Sequence, residues 1–366
     1  MINYKIYDQL SNSVLKNIIK NIYKDNKNFF FQSILFLNSC KKIYYENNNN
    51  LKIIIILKNE VPICVVPTYL EINKKIKILK WLSCEAIDYN VSLLNHEIVK
   101  ANIKEVDKVL MDAFNEISPD LIFFDKIPEF IFQNKNNLLN NYFKKYTNSY
   151  YYNYQENIGD YYNKTTNSKT KQTDKRKLKK ILLNGTISFE KIIINEKNNF
   201  LLNKLIDCKH NQYLEKKIKT FNKDKLYEFY KNLVVYSDKD FDLVLHKMKV
   251  SNTEASLIFG IEHRNFFYYL IPYVPKSDIQ KFSPGRLHLK NILDTYQKKK
   301  IRVDFTSGDE KYKSDWSNVN FNVNYILILK SIRGILFFLY YFLYFKLRKI
   351  NFLKKLVQII NFKNND

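Results

Sequence analysis

The chain has 366 residues, 46% of them apolar and 16% aromatic, which is enough for one large or two ordinary domains with a buried core and excludes a disordered chain. Its formal charge of +24 points towards an anionic partner, yet only six of the 60 basic residues are Arg. Readers of nucleic acid favour the planar guanidinium fork, and the joint abundance of Lys, Asn, Ile and Tyr is what AT-rich coding sequence produces. No specific nucleic-acid partner is expected.

In chain order, a short strand (Asn3–Tyr7) precedes helical segments around Val14–Ile22 and Ser33–Ile43. Three strand-like runs follow, Leu51–Leu57, Pro62–Leu70 and Lys75–Leu82, the first two joined by the hairpin-like turn "KNEV". The spacing of Val106, Leu110, Ala113 and Phe114 predicts a helix over Ile103–Ile117, and "DLIFFDKI" predicts a buried strand over Asp120–Ile127.

The order then recurs. A strand (Thr186–Ile194), two helices (Asn199–Tyr213, Lys223–Val235) and a three-strand meander (Phe241–Val250, Glu254–His263, Asn265–Val274) are followed by a helix (Pro284–Lys298) and a strand (Ile301–Phe305). A short helical or irregular piece leads to a last strand at Phe321–Leu329. The join is the polar stretch Asn153–Lys180. It ends in a basic helix, "KRKLKKILLNG", with Leu178, Ile181 and Leu182 facing inward and Gly185 as its stop. The lysines of this segment read as a solvated face or as a docking surface for phosphates. These patterns place one unit at 1–152, a second at 153–330 and a basic aromatic helix at 331–366.

Cys40, Cys64, Cys84 and Cys208 share no metal or redox spacing and read as small buried residues of a reducing cytoplasm. The five histidines are equally scattered, so no metal is expected. The N-terminus lacks the apolar region of a signal peptide. The run Gly334–Phe345 is apolar for about a dozen residues, where a spanning helix needs roughly 20. With Lys330 and Arg333 before it and Lys346, Arg348 and Lys349 after it, the run reads either as a helix packed on the protein or as peripheral membrane contact through 334–349.

The punctuation of this chain is concentrated in one place. Of its 6 Gly and 7 Pro, three residues fall in "SPGRLHLKNILDTYQKKKIRVDFTSGDEKYKSDW" (Ser283–Trp316). Ser283-Pro284-Gly285 has the form of a helix start: Ser as N-cap, Pro at the first helical position, and Gly admitting a close neighbour. Free N–H groups there favour a phosphate, with Arg286 and Lys290 adding charge-assisted hydrogen bonds. In "IRVDF", Arg302 and Asp304 face away from Ile301, Val303 and Phe305; a carboxylate on a short central strand is either paired, with Arg as the simplest partner, or used in chemistry. Beyond the strand, Asp309, Glu310, Tyr312 and Lys313 come forward where ligands bind open α/β sheets. A carboxylate there suits a general base and a Tyr hydroxyl a general acid. His288, one turn into the preceding helix, is a further candidate, an exposed position being its simpler explanation.

The succession "FSPGRLHLKNILDTY" and "KIRVDFTSGDEKYKSDW" resembles the signature region of the BioF2-like/CelD-like acetyltransferases of the GNAT superfamily, many of which are associated with bacterial exopolysaccharide or capsule gene sets. Weaker echoes lie in Asn28–Cys40, "VVPTYL", Asp88–Leu94 and the segment before Thr186. The resemblance implies an α/β fold with a mixed sheet, tandem GNAT-like domains similar to Fem-type transferases, and acetyl-CoA or another acyl-CoA as co-substrate. It implies that Ser283-Pro284-Gly285-Arg286 takes the place of the pyrophosphate-binding turn, although Leu287 stands where the family's pattern has a second small residue. The acceptor it implies is an amino group on a sugar or cell-envelope precursor, met in the cytoplasm or at the inner face of the membrane. Two other readings stay open, an aminoacyl-tRNA donor and a fold that has lost its chemistry.

Overall fold

The computed structural model describes residues 1–10, 13–24, 30–46, 50–129, 142–154, 158–218, 220–235 and 241–348. The first run of elements is β1 (Ile2–Tyr7), α1 (Ser13–Tyr23), α2 (Ile34–Tyr44), β2 (Leu51–Lys58), β3 (Val61–Asn73), β4 (Ile76–Trp81), β5 (Leu93–Leu94), α3 (His96–Ala101), α4 (Ile103–Ile117) and β6 (Leu121–Pro128). After β7 (Phe143–Tyr152) come α5 (Ile158–Thr165), α6 (Ser168–Leu182), β8 (Ile187–Ile193), α7 (Phe200–Glu215), α8 (Lys223–Val234), β9 (Phe241–Val250), β10 (Thr253–His263) and β11 (Phe266–Tyr273). The chain continues through α9 (Pro284–Lys298), β12 (Arg302–Ser307), α10 (Lys311–Trp316), β13 (Val319–Leu329) and α11 (Ile332–Arg348).

Local chemistry explains most of these elements. Ser33 caps α2, its hydroxyl accepting from Phe36 N at 3.2 Å. The expected stripe of α4 is buried, and Ser118 ends the helix in a left-handed conformation at φ 51°. Strands β2 and β3 are near-continuous apolar runs because both of their faces are covered. Helix α6 departs from expectation at one position: Ile181 is buried, but Leu182 is 53% exposed.

All the strands join one mixed sheet in the order β1-β2-β3-β4-β6-β13-β7-β12-β11-β10-β9-β8, with β5 beside β3. Read from either edge towards the middle, the plan is the same: an antiparallel meander and then one parallel step, β4 to β6 on one side and β11 to β12 on the other. The centre is an exchange. Strand β13, late in the chain, pairs with β6, while β7 pairs with β12, and the two meet antiparallel from Val319↔Tyr151 to Ile326↔Phe143. The sequence carries little sign of β7, whose "FKKYTNSYYY" has an exposed Lys pair and no clean alternation.

The largest buried cluster wraps both faces of β2 and β3 and gathers residues of α1, α2, α4, α7 and α8, and a second cluster lies under α9. Residues before α2 and in its first turn knit the two halves together: Phe30 packs on Phe241 at 4.6 Å, Phe31 on Tyr268 at 5.1 Å, and Phe36 on Phe229 at 4.8 Å. Among the described residues no helix is long and apolar enough to cross a membrane. Phe31→Ala is expected to cost about 3–5 kcal/mol by opening a cavity at this seam, read as a shift of the urea midpoint; a loss below about 1 kcal/mol would show that the seam is not a shared core.

Candidate active site

The site begins where a parallel pair comes apart. Strands β11 and β12 are in register only over Phe266↔Arg302, Phe267↔Val303 and Tyr268↔Asp304. Strand β12 then bends, with an irregularity against β7 between Asp304 and Ser307. Thr306 sits there at φ 61°, a conformation that β-branched residues rarely adopt. What holds it is Asp304: its Oδ1 accepts from the Thr306 backbone N–H at 2.7 Å and from the Tyr89 hydroxyl at 2.7 Å. Tyr89 also bonds Ser149 Oγ, and both residues are buried. The expected Asp304–Arg pair does not form, because Tyr89, delivered by the loop after β4, reaches the carboxylate first. Burial pushes the Asp304 carboxyl up to about 7, against the opposing pull of its two hydrogen-bond donors.

Between the parted strand ends opens a cleft of about 570 Å³. Its walls come from the end of β11 (Tyr269 to Pro272), the end of β12 (Phe305 to Ser307), α10, α7 and the loop after β4. Glu310, Tyr312 and Lys313 line it as expected from sequence. Lys313 is buried, donating to Ser307 O at 2.6 Å and pairing with Glu310 Oε2 at 3.1 Å. Gly308, at φ 132°, permits this arrangement: a Cβ there would come within 2.4 Å of Glu310 Oε2 and 2.9 Å of Lys313 Nζ. Burial, with Tyr269 and Glu310 nearby, holds the Tyr312 hydroxyl well above its ordinary pKa.

Four lining residues were not site candidates from the sequence, Asp88 standing there only at the start of a weak family echo. Glu85 and Asp88 come from the loop after β4; Asp88 accepts from Ser307 Oγ at 3.1 Å and Glu85 from Asn222 N at 3.1 Å. Lys209 and Tyr213 come from α7. Lys209 Nζ donates to Pro272 O at 2.8 Å and lies over the Tyr213 ring at 5.0 Å. Burial, and then Lys216, pushes the Lys209 ammonium down to about 8, Glu310 acting against them. Lys209 looks like any helix-surface lysine until α7 is laid across the end of β11.

Other candidates lie elsewhere. Asp304 sits beneath the cleft rather than in its lining. Asp309 turns away and is held by Asn148 Nδ2 at 2.6 Å and Thr147 Oγ1 at 2.8 Å, contacts that keep its carboxyl below the usual range. His288 is 1% exposed, not exposed as its position suggested, with Nδ1 3.0 Å from Ser256 Oγ. Burial lowers it to about 3, so its ring is neutral.

The start of α9 forms a second, smaller cavity of about 180 Å³, lined by Lys175, Lys177, Ser283, Arg286, Lys290 and neighbouring side chains. Ser283 occupies the N-cap position but does not act as a cap: it is left-handed at φ 57°, and its hydroxyl accepts from Lys177 Nζ at 2.7 Å. The first turn of α9 therefore has no side-chain cap. Gly285 serves packing within the protein, since a Cβ would meet Val274 Cγ2 at 2.9 Å. Arg286 donates to Asp174 at 2.9 Å and stacks on Trp316 at 4.7 Å, and Lys290 pairs with Asp294 at 2.9 Å. Pro272 lines the cleft, and Val274, just beyond β11, is the neighbour that Gly285 makes room for. In the other strand set, β4 and β6 also part after Lys80↔Phe123, but Trp81 packs on Phe124 at 4.5 Å and leaves about 50 Å³. Among the described residues no cluster of His, Cys, Asp or Glu is placed to hold a metal.

Residues 168–314, from α6 into α10, match the family described as Acetyltransferase (GNAT) domain. That span contains the α9 start and most of the cleft. The fold is also that of FemX, at TM-score 0.54 and 11% identity over 84% of this chain and 95% of FemX. A conserved protein of unknown function from Bacteroides thetaiotaomicron superposes at TM-score 0.52 and 12% identity over 90% of this chain and 100% of its own. The structure of L-PGS from Bacillus licheniformis does so at TM-score 0.50 and 10% identity over 87% and 93%. No curated protein matches the chain. The expected architecture, a mixed α/β sheet with a tandem GNAT-like plan similar to Fem-type transferases, is the one observed.

The elevated Asp304 pKa makes a linkage prediction. A carboxyl at about 7 in the folded chain and about 3.9 unfolded binds its proton more tightly when folded. Its contribution is complete below the unfolded value and is lost as pH rises through 7. Between pH 6 and 8 the wild type should lose about 1 kcal/mol relative to Asp304→Asn, whose amide does not titrate. Urea unfolding of both proteins at the two pH values measures this, and parallel behaviour would show that Asp304 is ionised throughout.

Proposed function

We propose that this chain is an acyl-CoA-dependent N-acyltransferase, acting on an amino group of a sugar or cell-surface polysaccharide or lipid precursor. The observation that supports it best is the opening of β11 from β12 into a cleft lined by Glu310, Tyr312 and Lys313, in a chain that also carries an uncapped start of α9 with lysines around it. On this reading the α9 turn, Lys175, Lys177 and Lys290 would hold the phosphates, while the thioester end would lie between the strands. Arg286, already engaged by Asp174, would contribute mainly by stacking on Trp316.

The amine nitrogen attacks the thioester carbonyl. A C–N bond forms, the C–S bond breaks, and the amine proton passes to the Glu310 carboxylate. Tyr312, kept protonated by burial, donates to the departing sulfur, which leaves as the thiol; Tyr312 then regains a proton from water, and Glu310 returns its own to water. Backbone N–H groups freed where the strands part suit the developing oxyanion. Glu85, Asp88 and Glu310 make the cleft rich in carboxylates for a chain of +24 net charge, which favours an amine acceptor. The enzyme would work in the cytoplasm, with peripheral membrane contact through 334–349.

Calorimetric titration with acetyl-CoA and longer acyl-CoAs tests the donor. Binding near micromolar strength is expected, about −8 kcal/mol, weakened about tenfold or more in Lys177→Glu, which loses a charge-assisted contact. Glu310→Gln should retain that affinity and lower amine-dependent thiol release about 10²–10⁴-fold. If no acyl-CoA binds while an aminoacyl-tRNA does, the Fem-type donor replaces this reading. If neither binds, the chemistry has been lost.

A further inference from the structure

Helix α11 carries apolar residues well beyond the face it turns to the protein. Its inner face, with Phe337 and Phe338, lies over the sheet surface of β4, β6 and β13. Ile78, Leu121, Phe123 and Leu327 from that surface, with Phe338 and Phe342, enclose an apolar groove of about 630 Å³. Outward, Ile332, Ile335, Leu336, Leu339, Tyr340 and Leu343 form one continuous helical stripe, each between 42% and 76% exposed. The helix cannot turn this stripe inward, because its start is fixed to Asp120. The Asp120 backbone oxygen accepts from Lys330 N at 2.9 Å and Ser331 N at 3.2 Å, and its carboxylate from Ser331 Oγ at 2.5 Å and Arg333 Nε at 3.3 Å.

An apolar stripe of this size has a cost in water, and the surrounding charge indicates what covers it. From Lys330 to Lys363 the sequence carries eight basic residues and no acidic one. We infer that α11 and the groove beneath it form a docking face for an anionic lipid bilayer, with the stripe entering the acyl boundary and the basic character of this part of the sequence favouring anionic headgroups. Among the described residues no helix is long and apolar enough to cross a bilayer, and α11 is seated on the sheet, which suits contact along the surface. The face also leads to the cleft: Tyr146 of β7 lines the groove, the next residues Thr147 and Asn148 hold Asp309, and Glu310 lines the cleft. This deepens the acyltransferase reading by pointing to a lipid-borne amine acceptor, while the docking face itself does not depend on that reading.

The test is co-sedimentation of the full chain with vesicles of phosphatidylcholine containing about 30% phosphatidylglycerol, compared with phosphatidylcholine alone. Binding to the anionic vesicles is expected, reduced several-fold in about 0.5 M salt and at least about tenfold in a Leu336→Gln/Leu339→Gln/Leu343→Gln variant. Leu183→Gln, at a position 85% exposed elsewhere on the surface, should bind like wild type. Acetyl-CoA titration of the triple variant checks that it is folded: unchanged acyl-CoA affinity with lost vesicle binding supports the inference. Wild type that binds acyl-CoA but not anionic vesicles would overturn the docking face alone, and vesicle binding without acyl-CoA binding would overturn the donor alone. A dimer in solution that the triple variant dissociates would assign the stripe to a second copy and overturn the membrane.

Discussion

A parallel strand pair stays bonded only while both strands run on together, and β12 does not. Its bend at Thr306 is conformationally unfavourable and is held by one buried carboxylate, Asp304, which accepts from the Thr306 backbone and from Tyr89. The site depends on that pair of hydrogen bonds. They part β12 from β11, leave peptide groups at the strand ends free of ladder partners, and aim the turn of Gly308 so that Glu310, Tyr312 and Lys313 face the opening. Tyr89 comes from the first strand set and Asp304 from the second, so the same contact ties the shape of the cleft to the seam of the whole molecule.

The two strand sets share one plan and differ in what fills the parted pair. Between β4 and β6 two aromatic rings occupy the space, and the opening is nearly gone. Between β11 and β12 the rings of Phe305 and Tyr312 stand edge-on at 6.4 Å beside a cleft that stays open and polar. The exchange of β7 and β13 at the centre makes one continuous sheet. That continuity lets the loop after β4 and helix α7 face each other across the cleft, placing Glu85 and Asp88 opposite Lys209 and Tyr213.

Charge is distributed with the same economy. The lysines that give the chain its net charge are mostly solvated, yet Lys313 is buried against a carboxylate and a carbonyl, and Lys177 reaches the hydroxyl at the start of α9. Elsewhere on the sheet, α11 shows a different arrangement, an apolar stripe left exposed.

Periodicity, caps and punctuation by themselves determined most of the elements. The stripe of α4, the apolar runs and tight turn of the meander β9–β10–β11 and the Pro-Gly start of α9 are local patterns, and each stands within a residue or two of where the sequence places it. The turn holding Glu310, Tyr312 and Lys313 was legible for the same reason, since Gly308 marks a backbone conformation that few residues adopt. Partnership was decided only by the tertiary structure. That Asp304 takes Tyr89 in place of an arginine, that His288 is buried, and that Gly285 makes room for Val274 depend on residues 30 to 215 positions apart or on strands meeting across a loop. Strand β7 and Lys209 are the clearest cases: neither has a local pattern, because one is a strand through its neighbours β12 and β13, and the other has a shifted pKa through burial at the end of β11.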